Sequence, residues 1–538
     1  MNHFRIISQK NIYWIILALI ITFTVAVRIR LLDVPLERDE GDYAYTAQLM
    51  LQGIPPYIKS YSMRLPGLYV SYAVIISLFG QTQQGIHLGL LIINSITIIF
   101  IYLLSRFFLS KTGSLVSAAT FALLSITYSV LGFTANSEHF VILFAVIGLY
   151  ILLSGLEKSR PYFLFFSGFT LGIGLFMKQN GIFFIILSII YITYFSIIKP
   201  SKQWIYLSKY LFSFIFGFLL FTGCSLLIIY YIGIFNEFWF WTFEYAREYV
   251  SYFSIKQAFN SFQHSYDFIT TPSILLWIFI GFGLLLLFIK IKSIKFSFFL
   301  LLFSLLSIAS ICPGFYFRPH YFILLLPCAG ILSGISFDSL TILLSCKLKK
   351  QFGYSLTLTI FIICFLQSIY LQRNYLFFIT PFQISRFIYG SNPFNESLKI
   401  ADFINKNTTA KDTIAIFGSE PQIFFYSKRH SASGFMYMYP MMEKHKFALT
   451  MQKSFIIDLE KIKPKYIIFV NVSTSWLKQP SSHKLIFKYL NKLIDNKEYS
   501  LCGLVEIFEP EPFYYWEPEM TRITSRSKNW VGIYKNNN

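Results

Sequence analysis

The chain has 538 residues, of which 55% are hydrophobic and only 13% are charged, and Phe alone occurs 61 times. Soluble proteins carry about 25% charged residues, so this composition excludes an ordinary soluble protein and indicates a polytopic membrane protein. The net charge of +20 does not indicate nucleic-acid binding, because the Lys and Arg residues fall mostly in short clusters between apolar segments. That distribution is typical of cytoplasmic loops and of contact with anionic lipid headgroups.

Apolar segments near the length needed to cross about 30 Å of hydrocarbon recur along the chain. Arg5 and Lys10 precede the first of them, which indicates a cytoplasmic N-terminus. We interpret residues 66–80 as a helix at the outer interface, because a span there would leave Arg106 and Lys111 outside. The sequence then predicts eleven transmembrane helices, at about residues 12–30, 84–105, 112–132, 139–156, 162–177, 181–198, 210–234, 273–289, 296–311, 321–337 and 355–371.

This topology also predicts the domain organisation. Each of the six inside segments carries two or three Lys or Arg residues, as expected for cytoplasmic loops. Residues 235–271 are predicted to be a long outer loop, and the last span delivers the rest of the chain outside. We therefore expect a transmembrane module at 1–372, with an outer-face loop at 33–83, and a soluble extracytoplasmic α/β domain at 373–538. Its expected elements are a helix at 397–405 and strands at 413–417, 465–470, 499–508 and 530–534.

Cofactor-binding patterns are missing from the sequence of the C-terminal domain. It has no GxGxxG, Walker A or zinc-ligand spacing, and the six Cys residues of the chain form no CxxC pair. We therefore expect no cofactor and no structural metal.

Four carboxylates lie within six positions near the start of the stretch 36–66: Glu37, Asp39, Glu40 and Asp42. They are conspicuous because the whole chain has only 26 Asp and Glu residues. Carboxylates beside a bilayer are costly unless they have a function. General-base catalysis, in which a carboxylate removes a proton from a hydroxyl, is one such function. A solvated loop between two membrane helices is the alternative interpretation.

The predicted topology collects further polar residues from distant parts of the chain at the outer face. They are Arg64, Glu138, His139, Lys178, Arg247, Arg318 and His320. Cations stabilise a lipid-phosphate leaving group, and a carboxylate base activates an acceptor hydroxyl. Some of these residues also have non-catalytic interpretations, since His139 and Lys178 suit snorkelling at helix ends. Arg247 suits an ion pair with Glu244 or Glu248.

A series of short motifs follows in order along nearly the whole chain. They are Asp39-Glu40 with Tyr43 and Tyr45, then Gly53, Pro55 and Tyr57, then Arg64-Leu-Pro66, Asn136-Ser-Glu138, Arg318-Pro-His-Tyr321 leading to Pro327, and Ile416-Phe-Gly-Ser-Glu420. This order resembles the GT-C glycosyltransferases, which cross the membrane many times. It is most similar to the bacterial branch of glycosyltransferase family 39, which includes relatives of protein O-mannosyltransferases and of the lipid A aminoarabinose transferase.

The resemblance implies a polyprenyl- or dolichyl-phosphate sugar donor and roles for individual residues. Asp39 and Glu40 would be the catalytic carboxylates, with Asp39 as the general base. The donor phosphate would be bound by Arg64, Arg318, His320 and Lys178, and the substrates by Tyr43, Tyr57, Glu138, Arg247 and Tyr321. Arg64 replaces the Lys usual in relatives, and Arg suits bidentate phosphate contact. Met63 stands where the aminoarabinose transferases have Glu, so a divalent metal is not supported.

The sequence therefore predicts a mainly helical GT-C-type bundle with a C-terminal α/β domain, in the cytoplasmic membrane of a bacterium. The expected activity is inverting transfer of a hexose or pentose from polyprenyl phosphate to a hydroxyl of a glycan, lipid or protein, on the extracytoplasmic face. The alternative is a flippase or transporter of lipid-linked sugars, although no internal repeat is visible and the charges lie at one face. A non-catalytic scaffold would not need Asp39 beside Arg64.

Overall fold

The computed structural model describes residues 9–198, 203–250, 255–287, 294–517 and 525–537. Within these residues eight helices are long and apolar enough to cross a membrane. They are Asn11–Arg30, Gln83–Ser105, Ser137–Lys158, Gln179–Ile197, Trp204–Tyr231, Ile255–Leu286, Pro319–Lys347 and Lys350–Leu371. Shorter apolar helices at Pro66–Phe79, Pro161–Met177 and Phe296–Ser310 accompany them, so the mainly helical membrane fold is confirmed.

Sixteen helices precede the C-terminal region in the described residues. Numbered α1 to α16 in chain order, they are Gln9–Arg30, Arg38–Leu51, Pro66–Phe79, Gln83–Ser105, Lys111–Leu124, Ser137–Lys158, Pro161–Met177, Ile182–Ile197, Gln203–Tyr231, Phe235–Trp239, Ala246–Val250, Ile255–Thr270, Ile274–Leu286, Ile294–Ser310, Leu326–Lys347 and Lys350–Leu371. Each of the eleven predicted spans overlaps one of them. The predicted span 112–132 is shorter than expected, because α5 ends at Leu124 and only a single 3₁₀ turn, Tyr128–Val130, follows.

The stretch 235–271, predicted as a long outer loop, is helical for most of its described length. It contains α10, a π-helical turn at Phe240–Tyr245, α11 and α12, while residues 251–254 lie outside the described part. Helix α12 exposes the large apolar or aromatic residues Ile255, Phe259 and Tyr266, and it belongs to the candidate membrane span Ile255–Leu286.

The C-terminal region forms a six-stranded mixed sheet flanked by helices. The strands β1 to β6 are Thr413–Phe417, His430–Ser431, Tyr466–Asn471, Tyr499–Glu506, Phe513–Trp516 and Trp530–Asn536, and their order across the sheet is β2-β1-β3-β6-β4-β5. Its helices α17 to α23 are Pro381–Tyr389, Phe394–Lys406, Gln422–Ser427, Tyr439–Met442, Ala448–Ile462, Ser473–Trp476 and Leu485–Asp495. The four predicted strands are present, whereas the two edge strands β2 and β5 were not predicted.

Helix α2 lies between the membrane helices and the C-terminal domain. It packs against α3 on one side and against α19 on the other. The approach to α19 is so close that a Cβ atom at Gly41 would lie 2.5 Å from the backbone nitrogen of Gln422. The guanidinium of Arg38 lies 3.0 Å from the carboxylate of the fully buried Glu420. The acidic helix is therefore fixed by both parts of the molecule.

Candidate active site

The acidic stretch folds as a helix because its own carboxylates cap the helix N-terminus. The side chain of Glu37 accepts a hydrogen bond from the backbone of Glu40, and the side chain of Glu40 accepts one from the backbone of Glu37. This reciprocal capping box satisfies two backbone N–H groups that a helix start leaves without partners. It also directs Asp39 and Glu40 to different sides of the helix, so their environments differ.

Asp39 is buried at the junction between the membrane helices and the C-terminal domain. Its Oδ1 atom lies 3.2 Å from Nη2 of Arg64 and 3.1 Å from the hydroxyl of Tyr437. The Tyr437 hydroxyl is also 3.0 Å from the carbonyl oxygen of Arg38. Burial raises the pKa of the Asp39 carboxyl, but the positive charges of Arg64 and its neighbours outweigh burial and hold that pKa well below its usual range. Asp39 is therefore a carboxylate that stays ionised in a buried cavity.

Arg64 is held in place by two tyrosines, Tyr43 of α2 and Tyr57 of the segment between α2 and α3. Tyr57 has a backbone φ of 71° and donates a hydrogen bond from its hydroxyl to the carbonyl oxygen of Arg64, at 2.7 Å. The guanidinium of Arg64 lies over the ring of Tyr43, 5.7 Å from its centroid. Tyr43 and Tyr57 are both fully buried, so they support Arg64 and are themselves shielded from solvent.

Arg64 also borders a cleft of about 390 Å³ that carries two further cations, Lys178 and Arg247. The Lys178 ammonium contacts the carboxylate of Glu138 and lies 4.1 Å from the ring centroid of Tyr321, which also borders the cleft. The structure therefore brings Arg64, Lys178, Arg247 and Tyr321 together. Such a group of cations can bind a phosphate through charge-assisted hydrogen bonds.

Arg318 and His320 lie on the other side of Asp39. Together with Asp39 they border a separate cavity of about 180 Å³. The guanidinium of Arg318 is 3.4 Å from the Tyr249 hydroxyl, and Nε2 of His320 is 4.0 Å from Glu138. Arg318 thus borders a cavity with Asp39 that Lys178 does not border.

Among the described residues, Glu40 borders neither of these two cavities nor the cavity that Asp39 shares with Tyr437. Its Oε1 atom accepts a hydrogen bond from the backbone N–H of Ala135 at 2.6 Å and lies 3.0 Å from Nε2 of His87. The side chain is fully buried against α4 and the start of α6. This environment favours a structural role for Glu40 and leaves Asp39 as the carboxylate that faces the cavities.

The C-terminal domain supplies site residues that the sequence did not reveal. The cavity that contains Asp39, Arg64 and Arg318 is also lined by Tyr437, Tyr439 and Glu443. Tyr245 donates a hydrogen bond to Glu443 at 3.0 Å, and burial raises the pKa of Glu443 to about 7. The pair of tyrosines in Tyr437-Met-Tyr439 was the only local signal, and nothing in it indicates a partner almost 400 positions earlier.

Comparison with known proteins gives a consistent class. Residues 66–231 match the family described as dolichyl-phosphate-mannose-protein mannosyltransferase. The fold is similar to that of ArnT from Cupriavidus metallidurans bound to undecaprenyl phosphate, with a TM-score of 0.63 and 15% identity over 97% of this chain and 98% of that chain. It is also similar to the oligosaccharyltransferase AglB from Archaeoglobus fulgidus in complex with an inhibitory peptide and a dolichol-phosphate, with a TM-score of 0.56 and 11% identity over 96% and 75% of the two chains. No curated protein sequence matches the chain.

The comparisons therefore show an ArnT-like GT-C fold, and residues 66–231 are similar to a glycosyltransferase family. The chain is a multi-pass integral membrane protein of ArnT-like architecture. The resemblance inferred from its motifs is confirmed by the family match and by the fold.

Proposed function

We propose that this protein transfers a sugar from a polyprenyl-phosphate donor to an acceptor hydroxyl, with Asp39 as the general base. The observation that carries the proposal is the ion pair of Asp39 and Arg64 where two cavities adjoin. Arg64 borders both the cation-lined cleft and the cavity lined by Tyr437 and Tyr439. Asp39 borders the second of these two. A base and a phosphate-binding cation are thus adjacent where the two cavities meet, and the anomeric carbon would react beside this pair.

The cation-lined cleft suits the phosphate of the donor. Arg64, Lys178 and Arg247 offer positive charge, and Phe243, Val250 and Pro313 give the same cleft apolar surface. A polyprenyl phosphate has this combination of an anionic head and an apolar tail. ArnT has been crystallised with undecaprenyl phosphate and AglB with a dolichol-phosphate, which supports a donor of this chemical class.

The proposed reaction is a single direct displacement at the anomeric carbon. The acceptor oxygen forms a bond to that carbon while the bond from the carbon to the phosphate oxygen breaks, and the electron pair leaves with the phosphate. The acceptor proton passes to Asp39. Arg64 and Tyr437 both contact Oδ1, so we assign the proton transfer to Oδ2. Cations at the cleft stabilise the charge that develops on the phosphate, and one displacement inverts the configuration.

We further propose that the site faces the extracytoplasmic side of a bacterial cytoplasmic membrane. The short basic clusters between the apolar helices support this orientation, since Lys and Arg favour cytoplasmic loops. In this arrangement the C-terminal domain and the outer-face segment lie outside together, as their shared contacts require.

Replacement of Asp39 by Asn tests the proposal. Asp39→Asn keeps the size of the side chain but removes its basicity, so sugar transfer should fall by about 10²–10⁴-fold. The matched control is Asp33→Asn, because Asp33 is an exposed carboxylate that accepts a hydrogen bond from Gln84 and borders none of the three cavities. Mass spectrometry of envelope glycans from cells that express each variant measures sugar transfer. Binding of undecaprenyl phosphate to each purified variant checks that its donor site is intact.

The proposal requires that Asp39→Asn and Asp33→Asn differ in their rates of sugar transfer. Asp33→Asn should transfer sugar at the parental rate, whereas Asp39→Asn should bind the lipid phosphate and transfer almost nothing. Parental transfer by Asp39→Asn would remove Asp39 from the reaction. Identical envelope glycans in cells with and without the protein would contradict the glycosyltransferase proposal and favour a transporter.

A further inference from the structure

A groove lined by aromatic residues lies outside the proposed catalytic cavity, which is the cavity that contains Asp39. The groove runs between the segment that begins with α10 and the helix α21. Its volume is about 410 Å³, within the range of about 300–1,000 Å³ typical of small-molecule sites. Two of its lining residues, Tyr61 and Trp241, also line the cavity that contains Asp39. The groove and the proposed catalytic cavity therefore adjoin at a shared wall.

The shared wall is a single layer of stacked aromatic rings. The rings of Tyr61 and Trp241 lie 5.0 Å apart at an interplanar angle of 18°, and Phe435 meets Tyr61 edge-on at 4.9 Å. A Cβ atom at Gly434 would lie 2.4 Å from the Tyr61 ring, so only glycine allows this ring to pack on the backbone. Phe447 extends the aromatic surface away from the wall, 5.1 Å from the ring of Phe240.

The polar residues of the groove are neutral or acidic. Asn236, Glu237, Thr450 and Ser454 line it, and none of its ten lining residues within the described chain is Lys or Arg. Oε2 of Glu237 is buried and has no hydrogen-bond partner among the described residues. An anionic ligand would meet a negative charge without a compensating cation here, whereas a donor hydroxyl would satisfy the Glu237 oxygen.

We propose that this groove is the subsite for a neutral oligosaccharide acceptor, an inference that rests on the proposed glycosyltransferase function. A sugar ring presents C–H groups on its faces and hydroxyls at its edges. Aromatic surfaces such as Phe447 and Trp241 match the faces, and the side chains of Asn236, Glu237 and Thr450 match the edges.

The arrangement also defines how such an acceptor would extend. The acceptor hydroxyl of its reacting sugar would reach the cavity of about 50 Å³ beside Asp39, where Tyr245 and Glu443 offer hydrogen-bonding groups. Its following units pass the Tyr61–Trp241 pair and lie in the groove. This assignment narrows the acceptor class to a glycan and disfavours phosphorylated lipids.

Saturation-transfer NMR on the full-length protein in detergent tests the groove without knowledge of the natural acceptor. The probes are the neutral tetrasaccharides of glucose, mannose and N-acetylglucosamine, compared with a Ser/Thr-containing hexapeptide and a sulfated tetrasaccharide. We expect saturation of sugar-ring protons in at least one neutral tetrasaccharide and none in the sulfated probe. Phe447→Ala should weaken binding roughly 10-fold, since it removes one aromatic contact surface.

Two further variants make the result specific. Thr450→Arg places a long side chain across the groove from an exposed position and should also reduce the signal, even if Phe447→Ala does not fold. Phe513→Ala is the matched control, because Phe513 is an exposed aromatic residue of the same domain outside the groove, and its signal should stay parental.

The possible outcomes separate the groove from the donor cleft. The inference is overturned if no neutral tetrasaccharide shows saturation transfer. It is also overturned if the saturation-transfer signal stays unchanged in both groove variants. Binding of the hexapeptide instead identifies a peptide site and also overturns it. Undecaprenyl phosphate binding is measured in parallel, so a donor site that fails while the groove binds sugar contradicts the proposed function alone.

Discussion

At the scale of the single residue, two contacts to the same carboxylate oxygen fix the orientation of Asp39. Arg64 and Tyr437 both approach Oδ1. Arg64 comes from the segment between α2 and α3, and Tyr437 comes from the C-terminal domain. Hydrogen bonds and cations stabilise the ionised form of a carboxylate, which fixes its protonation state and its orientation together. The cost is a weaker base, because a carboxylate with a low pKa takes up a proton less readily.

Tyr437→Phe separates positioning from basicity. Asp39 acts when it is deprotonated, so transfer is lost as the pH falls through its pKa. Removal of a donor to the ionised carboxylate raises this pKa, and the acidic limb of the pH–rate profile should move to higher pH. Transfer above that limb should fall by about 10-fold or more, because Asp39 loses a contact that orients it and this loss outweighs the gain in basicity.

Tyr439→Phe is the matched control for that measurement. Tyr439 lines the same cavity, but its hydroxyl donates to the carbonyl oxygen of Thr474 and not to Asp39. Its pH–rate profile should keep the parental acidic limb. Equal shifts in both variants would show that the cavity as a whole, and not the Tyr437 hydroxyl, sets the behaviour of the base.

At the level of elements, helix α2 sorts two adjacent carboxylates into different roles. Asp39 faces the cavities, while Glu40 bonds to Ala135 and lies beside His87 in the bundle. Glu40→Gln places an amide where backbone and imidazole groups need an acceptor. One buried group left without a partner costs about 1–3 kcal/mol, so the melting temperature should fall.

The control for this substitution is Glu157→Gln, because Glu157 is exposed near the end of α6. Its melting temperature should match the parental protein, and thermal unfolding followed by tryptophan fluorescence compares the two. Glu40→Gln protein that folds should still transfer sugar within about 10-fold of the parental rate, well inside the loss expected for a missing base. A stable Glu40→Gln protein without transfer would restore Glu40 as a catalytic residue.

Sequence patterns predicted the strongly apolar helices. They missed elements that form only through contacts with distant parts of the chain. The stretch Phe140–Leu153 of α6 has no charged residue, so its helix follows from the need to satisfy the backbone in a bilayer. Strand β2 has two residues and takes its place only by pairing with β1, which no local pattern encodes. Asp39 was predicted from the acidic cluster, whereas Tyr437 and Glu443 approach it only through the folding of distant segments.

At the scale of the whole molecule, the orientation in the membrane is open to a direct test. We expect the C-terminal domain outside, so a cysteine introduced at the exposed Lys428 should react with a membrane-impermeant maleimide in intact cells. The six native Cys residues are replaced first, because Cys224 and Cys346 are exposed. A cysteine at the exposed Lys349, predicted inside, should react only after the cells are broken. The reverse pattern would invert the topology.

The position of β6 has a consequence for biosynthesis. Trp530–Asn536 lies between β3 and β4, so the sheet stays split until the ribosome has made these residues. The sheet of the domain that carries Tyr437 is complete only then, long after the segment with Asp39 has been synthesised. Asp39 and its partner Tyr437 therefore belong to parts of the chain that are made far apart in time.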